Sequence, residues 1–293
     1  MEIKNCPVCN NSNFSNHIES KDFSVSKESF IIVSCDECNF HFTNPRPSDE
    51  NLGKYYISDH YISHNNTSRT FFEKVYQLVR KFATNGKFSL ISSFFSSGRI
   101  LDVGCGTGDF LNKCKSKNWE TKGIEPSKIA RDQAINNYNL DVEESTDLSQ
   151  LEGQFDIITM WHVLEHVPNL NETLVQFKQL LSKNGKIIIA VPNLESYDAK
   201  YYKEYWAAYD LPIHLYHFSK KSICTLFEKH GFSLRKTKGM KFDSFYVSML
   251  SEEHISGKKN FIKSIFVGII SNLYGLFGKD GFSSCIYVLE RSK

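Results

Sequence analysis

Two Cys-x2-Cys pairs lie near the start of the chain, Cys6 with Cys9 and Cys35 with Cys38. Two such tight turns can present four thiolates tetrahedrally to one zinc ion. A four-cysteine site has no open position for a substrate, so we expect this zinc to be structural. The alternatives are unrelated cysteines or disulfides, and a disulfide within a Cys-x2-Cys pair would be strained. The spacing therefore predicts a zinc-ribbon module over residues 1–57.

A second chemical signal is a glycine-rich turn that follows a short apolar run. Glycine lets backbone N–H groups approach a ligand that a side chain would block. A dinucleotide fingerprint needs a third glycine three residues after the second, and Asp109 stands there instead. The spacing is thus G-x-G-x-G, which favours a different nucleotide-like ligand. The candidate ligand-binding residues of this stretch are Asp102, Gly104, Cys105, Gly106 and Gly108.

Glu125 ends the next predicted strand, and Trp161 and His162 end a later one. Carboxyl ends of parallel strands meet at one edge of a sheet, so all three should approach the glycine turn. A carboxylate can accept hydrogen bonds from both hydroxyls of a ribose. The plainer alternative for Glu125 is an acidic cap for the helix that follows.

Histidines are the candidates for acid–base chemistry, because their ordinary pKa lies near neutrality. His214 and His217 follow the fifth predicted strand, and His166 follows the fourth. Each also has a structural alternative. His217 would cap the helix that begins at Lys220, and His166 would fix a turn.

These residues need a sheet to position them. Between residues 100 and 193 buried strands alternate with helical patterns, which predicts a mainly parallel α/β sheet with right-handed crossovers. Apolar spacing predicts one helix from Arg69, a break at Asn85-Gly86, and a second helix over residues 87–95. We therefore expect a helical linker or lid over residues 58–97 and a catalytic domain over residues 98–293.

Four stretches occur in the order LDVGCGTG, GIEPS, FDIITMWHVLEHV and KIIIAVPN. Together they resemble the motifs of class I S-adenosylmethionine (SAM)-dependent methyltransferases. That resemblance implies a Rossmann-like sheet with a last antiparallel strand, for which residues 283–290 are the candidate. It leaves the adenine contact open among residues 143–147. It implies that the cofactor contacts are Asp102, Gly104, Cys105, Gly106, Gly108, Glu125, Trp161 and His162.

The N-terminal module and residues 206–219 are together similar to deoxysugar C-methyltransferases. In that family a histidine of this loop is the general base, and the matching position is His214, with His217 and His166 as the other candidates. The family has a glutamate directly before the base, where this chain has Ile213. The resemblance implies a small-molecule acceptor, first a sugar or glycan precursor. An RNA bound by the zinc ribbon and a lipid or quinone-type acceptor are the alternatives, and methylation on oxygen, nitrogen or carbon stays open.

Composition limits the classes of binding partner that we expect. Lys and Arg number 35 against 33 Asp and Glu, which leaves a net charge of +2 and no strong field for nucleic acid. The N-terminal residues lack the pattern of a signal peptide, so a reducing, cytoplasmic location is expected. Oligomeric state is left open.

Residues 258–277 carry an apolar stripe at helical spacing, with Lys258, Lys259 and Lys263 at its start. We expect this stripe to pack on the sheet or on a second copy of the chain. A peripheral membrane helix is the alternative, and it is not favoured because the later polar face lacks Lys and Arg.

Overall fold

The computed structural model describes residues 1–56, 71–278 and 281–292, and for residues 71–77 the backbone alone. The strands are β1 (Phe14–Lys21), β2 (Ser29–Cys35), β3 (His41–Thr43), β4 (Arg99–Val103), β5 (Glu120–Ile124), β6 (Val142–Glu143), β7 (Phe155–Trp161), β8 (Leu181–Pro192), β9 (Tyr216–His217), β10 (Phe232–Met240) and β11 (Ser284–Arg291). The α-helices are α1 (Asp49–Leu52), α2 (Phe71–Ser92), α3 (Asp109–Lys115), α4 (Lys128–Tyr138), α5 (Leu170–Leu180), α6 (Tyr197–Tyr202), α7 (Lys220–Lys229), α8 (Asp243–Ser256) and α9 (Phe261–Phe277). Short 3-10 turns lie at Gly53–Tyr56, Leu148–Gln150, Leu164–His166, Lys203–Tyr205 and Ala207–Tyr209.

The main sheet has seven strands in the order β10-β11-β8-β7-β4-β5-β6. Strands β4 to β8 pair in parallel, and β11 pairs antiparallel with both β8 and β10. The predicted Rossmann-like sheet with a last antiparallel strand is therefore confirmed. Its central strands are buried on both faces, which explains their continuous apolar runs.

Alternate residues along each strand enter two separate cores. Leu101 and Ile158 belong to one core with Phe177 of α5. Ile100 and Ile157 belong to the other, which includes residues of α2 and α3. This period of two is what a sheet covered on both faces requires.

A second, four-stranded sheet has the order β1-β2-β3-β9, and all its pairs are antiparallel. Its last strand comes from the predicted catalytic domain, since His41 pairs with His217 and Phe42 with Tyr216. Phe40 also packs against Tyr216, with ring centroids 5.7 Å apart. The N-terminal module and residues 215–218 thus share one sheet and one core.

Helix α2 corrects the predicted break at Asn85-Gly86, because it runs through both residues without interruption. A glycine inside a helix costs only about 1 kcal/mol, and burial of Leu90 and Ile91 on the sheet offsets this. The first part of the expected linker, residues 57–70, lies outside the described residues.

Helix α9 corrects the expectation that its apolar stripe packs on the sheet. The side chains that α9 buries are Ser264, Val267, Gly268, Ser271 and Gly275, while the stripe faces outward. Small residues allow this close approach, because a Cβ on Gly268 would lie 2.5 Å from the Phe245 ring. The periodicity of the sequence distinguishes the two faces of the helix. The close approach of the α9 backbone to Phe245 determines which face is buried. Among the described residues no helix has the length and apolarity to cross a membrane.

Candidate active site

The glycine turn links β4 to α3 at the carboxyl edge of the main sheet. Gly104, Gly106 and Gly108 all have positive φ angles, of 73°, 55° and 82°. A Cβ on Gly104 would meet Val163 at 2.4 Å, and one on Gly108 would meet Leu140 at 2.5 Å. Two of these glycines are therefore required by packing as well as by backbone conformation. Gly106 has no atom within 4 Å of its Cβ position, so space lies open at that point of the turn.

Glu125 follows β5 and lies directly against this turn. Its Oε2 accepts the N–H of Gly106 at 2.8 Å, and its Oε1 accepts the N–H of Ser127 at 2.9 Å. Each carboxylate oxygen has two lone pairs. One thus stays available on each oxygen beside these two bonds. The structure brings Glu125 and the glycine turn together, as expected for neighbouring parallel strands.

Asp102 lies at the centre of this edge and is fully buried. Its Oδ1 accepts the hydroxyl of Thr159 at 2.5 Å. Burial raises the pKa of Asp102 to about 7, against the opposing effects of Thr159 and Lys87. The carboxyl group therefore changes charge near neutral pH unless a cationic ligand approaches it.

Trp161 ends β7, and its ring packs edge-on against Phe110 with centroids 5.4 Å apart. Lys87 Nζ lies 4.5 Å from the centroid of the same ring. The buried indole N–H has no hydrogen-bond partner among the described residues. This unpaired donor is unusual, because buried polar groups are usually hydrogen-bonded.

His162 has a left-handed φ of 58° and lies between two carboxylates. Its Nε2 is 3.2 Å from Asp243 and its Nδ1 is 3.5 Å from Glu165. Burial opposes the charged imidazole, but these two acids outweigh it and raise the pKa of His162 to about 10. At neutral pH His162 is therefore a cation and has no lone pair with which to act as a base.

Next to it, Glu165, His166 and His214 offer a carboxylate and two imidazole nitrogens within 4.8 Å of one another. The carboxylate of Glu165 is 1% exposed, and neither oxygen has a hydrogen-bond partner among the described residues. His166 Nδ1 lies 3.0 Å from the carbonyl oxygen of Ile213, and His214 Nδ1 lies 2.9 Å from that of Ala208. A carbonyl only accepts, so both Nδ1 atoms carry the proton and both Nε2 atoms keep a lone pair.

Burial keeps both of these imidazoles neutral. It lowers the pKa of His166 to about 4 and lowers that of His214 as well. Asp210 lies on the other side of His214, with Oδ2 3.9 Å from Nε2. Burial raises the pKa of Asp210 to about 6. The cluster thus holds neutral histidines beside a buried carboxylate.

His217 has a different environment. Its Nε2 lies 3.1 Å from the hydroxyl of Thr43 in β3, and its ring packs edge-on against Tyr209 at 5.6 Å. Burial lowers its pKa well below the usual value. These contacts are those of a packing residue between the N-terminal sheet and the loop that carries His214.

The four N-terminal cysteines lie together. Sγ of Cys6 is 3.6 Å from that of Cys38, Sγ of Cys9 is 3.4 Å from that of Cys35, and all four are within 4.8 Å of one another. The two pairs have the same backbone geometry. In each pair the N–H of the first cysteine donates to the carbonyl oxygen of the residue five positions later. The carbonyl oxygen of the same cysteine accepts the N–H of the residue four positions later. Burial raises the pKa of Cys6 to about 11 and raises that of Cys38 as well, whereas for Cys9 hydrogen bonds outweigh burial and lower the pKa.

Comparison with known families identifies the domain that carries the glycine turn. A family model described as a methyltransferase domain matches residues 69–237, more than half of the chain. The chain belongs to the methyltransferase domain family. The match extends from α2 into β10. It includes the candidate cofactor edge (Asp102, the turn over residues 104–108, Glu125, Trp161 and His162) and the His214 cluster (Glu165, His166 and His214).

Individual relatives of this methyltransferase-family chain match over shorter spans. The mitochondrial ubiquinone biosynthesis O-methyltransferase of Schizosaccharomyces pombe is 28% identical over 105 residues, 33% of this chain and 38% of that protein. An uncharacterized methyltransferase of Bacillus thuringiensis is 28% identical over 158 residues, 49% of this chain and 73% of that protein. The chain spans about half or less of the length of the first curated relatives that it matches.

Solved structures show the same fold at low identity. The magnesium protoporphyrin IX methyltransferase of Synechocystis, with bound SAH, aligns with a TM-score of 0.54 and 13% identity. The alignment covers 83% of this chain and all of that one. A SAM-dependent methyltransferase from Archaeoglobus fulgidus aligns with a TM-score of 0.50 and 18% identity, over 76% of this chain and all of that one. The methyltransferase fold of this chain is therefore established by structure as well as by sequence.

Several residues of this methyltransferase site are not found by motif. Lys87 and Asp243 reach Trp161 and His162 from helices distant in sequence. Glu165 lies inside a recognised motif, but only its burial without hydrogen-bond partners singles it out. Asp198 fixes the start of the loop that carries His214, because its carboxylate accepts the indole N–H of Trp206 at 2.7 Å. The same carboxylate accepts the hydroxyls of Ser271 and Ser283, each at 2.6 Å.

Proposed function

We propose that this chain transfers a methyl group from SAM to a small-molecule acceptor, with a sugar or glycan precursor as the first acceptor class. Membership of the methyltransferase family supports the reaction, and the cofactor edge and the His214 cluster support the two halves of the site. The observation that carries the proposal is the neutral His214 beside the buried Glu165 carboxylate, whose near neighbour on its other flank is the cationic His162 at 3.5 Å.

The residues of the cofactor edge fit SAM. Glu125 keeps one lone pair on each carboxylate oxygen and suits the two hydroxyls of a ribose. The open space at Gly106 lets the cofactor approach the backbone of the turn. The buried Asp102 suits a ligand with a positively charged amino group, which would lower its pKa again. Gly104, Cys105, Gly108, Trp161 and His162 complete the proposed cofactor contacts.

SAM supplies an electrophilic methyl group that leaves its sulfur as the bond to the acceptor forms. This chain must align the acceptor and, for a hydroxyl or a carbon acid, remove one proton. Nε2 of His214 has the free lone pair for that proton, and the carboxylate of Glu165 stabilises the imidazolium that forms. Nδ1 stays bonded to the carbonyl of Ala208, which fixes the ring in this tautomer.

Replacement of His214 tests the base. His214→Ala should bind SAH with unchanged affinity and lose turnover by ~10²–10⁴-fold. His230→Ala is the matched control, because this partly exposed histidine bonds to Asn171 and lies outside the cluster. Undiminished turnover in His214→Ala would remove this residue from the mechanism, and His166 is then the next candidate.

We also propose that Cys6, Cys9, Cys35 and Cys38 hold one structural zinc ion. Tetrahedral Zn–S bonds of about 2.3 Å place the sulfurs roughly 3.8 Å apart, close to the separations of 3.4 and 3.6 Å. Elemental analysis should find one zinc per chain, and none when Cys35 is replaced by serine.

A second acceptor class is a lipid or quinone-type molecule. It is supported by several relatives that are ubiquinone biosynthesis O-methyltransferases. Incubation with methyl-labelled SAM and separate pools of sugar nucleotides, lipids and RNA distinguishes the classes. Label in the sugar pool supports the first class and label in the lipid pool the second. Label in RNA alone refutes both and favours polymer binding by the zinc ribbon.

A further inference from the structure

Helix α9 presents an unusually apolar surface to solvent. Nine of its 17 residues are exposed large hydrophobic side chains. Ile262 is 85% exposed, Phe266 64% and Phe277 88%. We call this surface the α9 face, and its members are Phe261, Ile262, Ile265, Phe266, Ile269, Leu273, Tyr274, Leu276 and Phe277. Contiguous apolar surfaces of this kind on a folded domain mark sites of interaction.

The opposite side of α9 is built to hold it in this orientation. Gly268 lies against Phe245 of α8, and Gly275 lies against Phe282. Ser271 donates to the buried Asp198 at 2.6 Å. If α9 were rotated so that its apolar stripe faced inward, the bond from Ser271 to Asp198 would be lost. Large side chains would then occupy positions where even a Cβ atom is too close to its neighbours. The outward direction of the α9 face is therefore specified by its small residues.

Lysines outnumber acidic groups around the α9 face, although Lys259 pairs with Glu253 at 3.7 Å and Lys263 pairs with Glu252 at 2.9 Å. Residues 258–278 contain three lysines and no aspartate or glutamate. Lys200 extends beside it, with Nζ bonded to the Tyr274 hydroxyl at 3.0 Å, and the exposed Lys241 lies next to Asn272. An apolar helix face flanked by lysines is complementary to the headgroups and outer acyl chains of an anionic bilayer.

The α9 face also adjoins the proposed active site. Asn272 donates to the carbonyl of Lys241 at 2.8 Å, which fixes α9 to the start of α8. The next residue, Phe242, is 50% exposed, and after it Asp243 contacts His162. A surface bound to this face would thus lie beside one wall of the acceptor cluster.

We propose that the α9 face docks this protein in the interface of an anionic lipid bilayer, with the helix axis parallel to the membrane plane. A second copy of the chain is the competing occupant. An antiparallel pairing of two α9 helices would bring the lysines at one end against residues 264–278 of the partner copy, which contain no acidic side chain. The charge pattern therefore favours lipid.

The test is co-sedimentation of the full zinc-loaded chain with vesicles of phosphatidylcholine alone or with 30% phosphatidylglycerol added. This binding test needs neither an acceptor nor turnover. A negative result would therefore refute membrane docking without bearing on the proposed methyl transfer. We expect binding to the anionic vesicles only, and weaker binding as salt is added. The double variant Ile262→Ser/Phe277→Ser should reduce binding at least tenfold without unfolding the chain, because both side chains are almost wholly in water.

Ile129→Ser is the matched control. Ile129 is 67% exposed on α4, away from the α9 face, and its loss should leave vesicle binding unchanged. Equal binding by the double variant and by the parent chain would overturn the proposal, as would absence of binding to both vesicle types. A dimer in light scattering that the double variant converts to a monomer, without any vesicle binding, would assign the face to a second copy instead.

Discussion

Loss of the proposed N-terminal zinc should loosen the loop that carries His214, although the two lie far apart in sequence. The perturbation is Cys35→Ser, which removes one of the four proposed ligands from a buried position. A zinc ion bound by these four cysteines would tie residues 6–9 to residues 35–38, and structural zinc contributes folding free energy directly to a small module. The sheet of this module should therefore disorder, and β9 would lose β3, the one strand that pairs with it in the described part of the chain.

The expected magnitude follows from the bonds that cross this junction. The N–H of Thr43 donates to the carbonyl of Leu215 at 3.0 Å, and its hydroxyl donates to the carbonyl of His214 at 2.9 Å. The same hydroxyl lies 3.1 Å from Nε2 of His217. At a net 0.5–1.5 kcal/mol for each hydrogen bond, their loss removes about 2–4 kcal/mol from the local opening free energy. That corresponds to roughly 30- to 10³-fold faster amide exchange.

Hydrogen–deuterium exchange with mass spectrometry measures this directly. Peptides that cover residues 210–219 should exchange faster in Cys35→Ser by the factor above, while peptides from β7 and β8 should not change. Cys224→Ser is the control, since Cys224 lies on α7 outside the cysteine cluster. Unaltered exchange over residues 210–219 in a zinc-free, unfolded module would refute the claim that β3 supports this loop.

Four further substitutions test other parts of the fold. Gly108→Ala should destabilise the chain by about 1–3 kcal/mol in denaturant unfolding, whereas Gly106→Ala should cost less because no atom lies near its Cβ position. The raised pKa of His162 gives stability that is complete below pH 6.5 and lost as pH rises towards 10. After allowance for its partial exposure we expect a loss of roughly 1–2 kcal/mol over this range. Asp243→Asn should make this loss smaller in denaturant unfolding, because Glu165 is then the one carboxylate of the pair that remains, and parallel curves for the two proteins would contradict the assignment. Asp198→Ala leaves three buried donors unpaired and should cost about 3–5 kcal/mol, so an unchanged melting temperature would count against this account.

The sequence predicts the parts of this fold that depend on local pattern. Apolar runs such as Ile187–Val191 define the buried strands, and the spacing of Gly104, Gly106 and Gly108 defines the turn. The position of Glu125 beside that turn follows from the rule that parallel strands share one carboxyl edge. Each inference uses residues that are close in sequence or joined by one right-handed crossover.

The predictions from sequence that are wrong or incomplete concern features that depend on long-range packing. Gly86 has the low helix propensity of any glycine, which predicts a break in the helix. The helix continues because tertiary packing buries Ile91, and the local sequence does not show this packing. The α9 stripe gives the correct period but not the direction, because Phe245 of another helix decides which face fits. Lys87 and Asp243 contact the site across large sequence separations that no motif records.

The shared N-terminal sheet has a consequence for synthesis of the chain on the ribosome. Strand β3 is complete at Thr43, but its partner β9 emerges about 170 residues later. At 5–20 residues per second, the edge of β3 waits roughly 10–35 s for that partner. An uncovered strand edge is a template for pairing with another chain, and adjacent nascent chains on one messenger RNA present the same edge to each other. Slow translation between these two strands should therefore lower the yield of native protein, even though neither strand is altered.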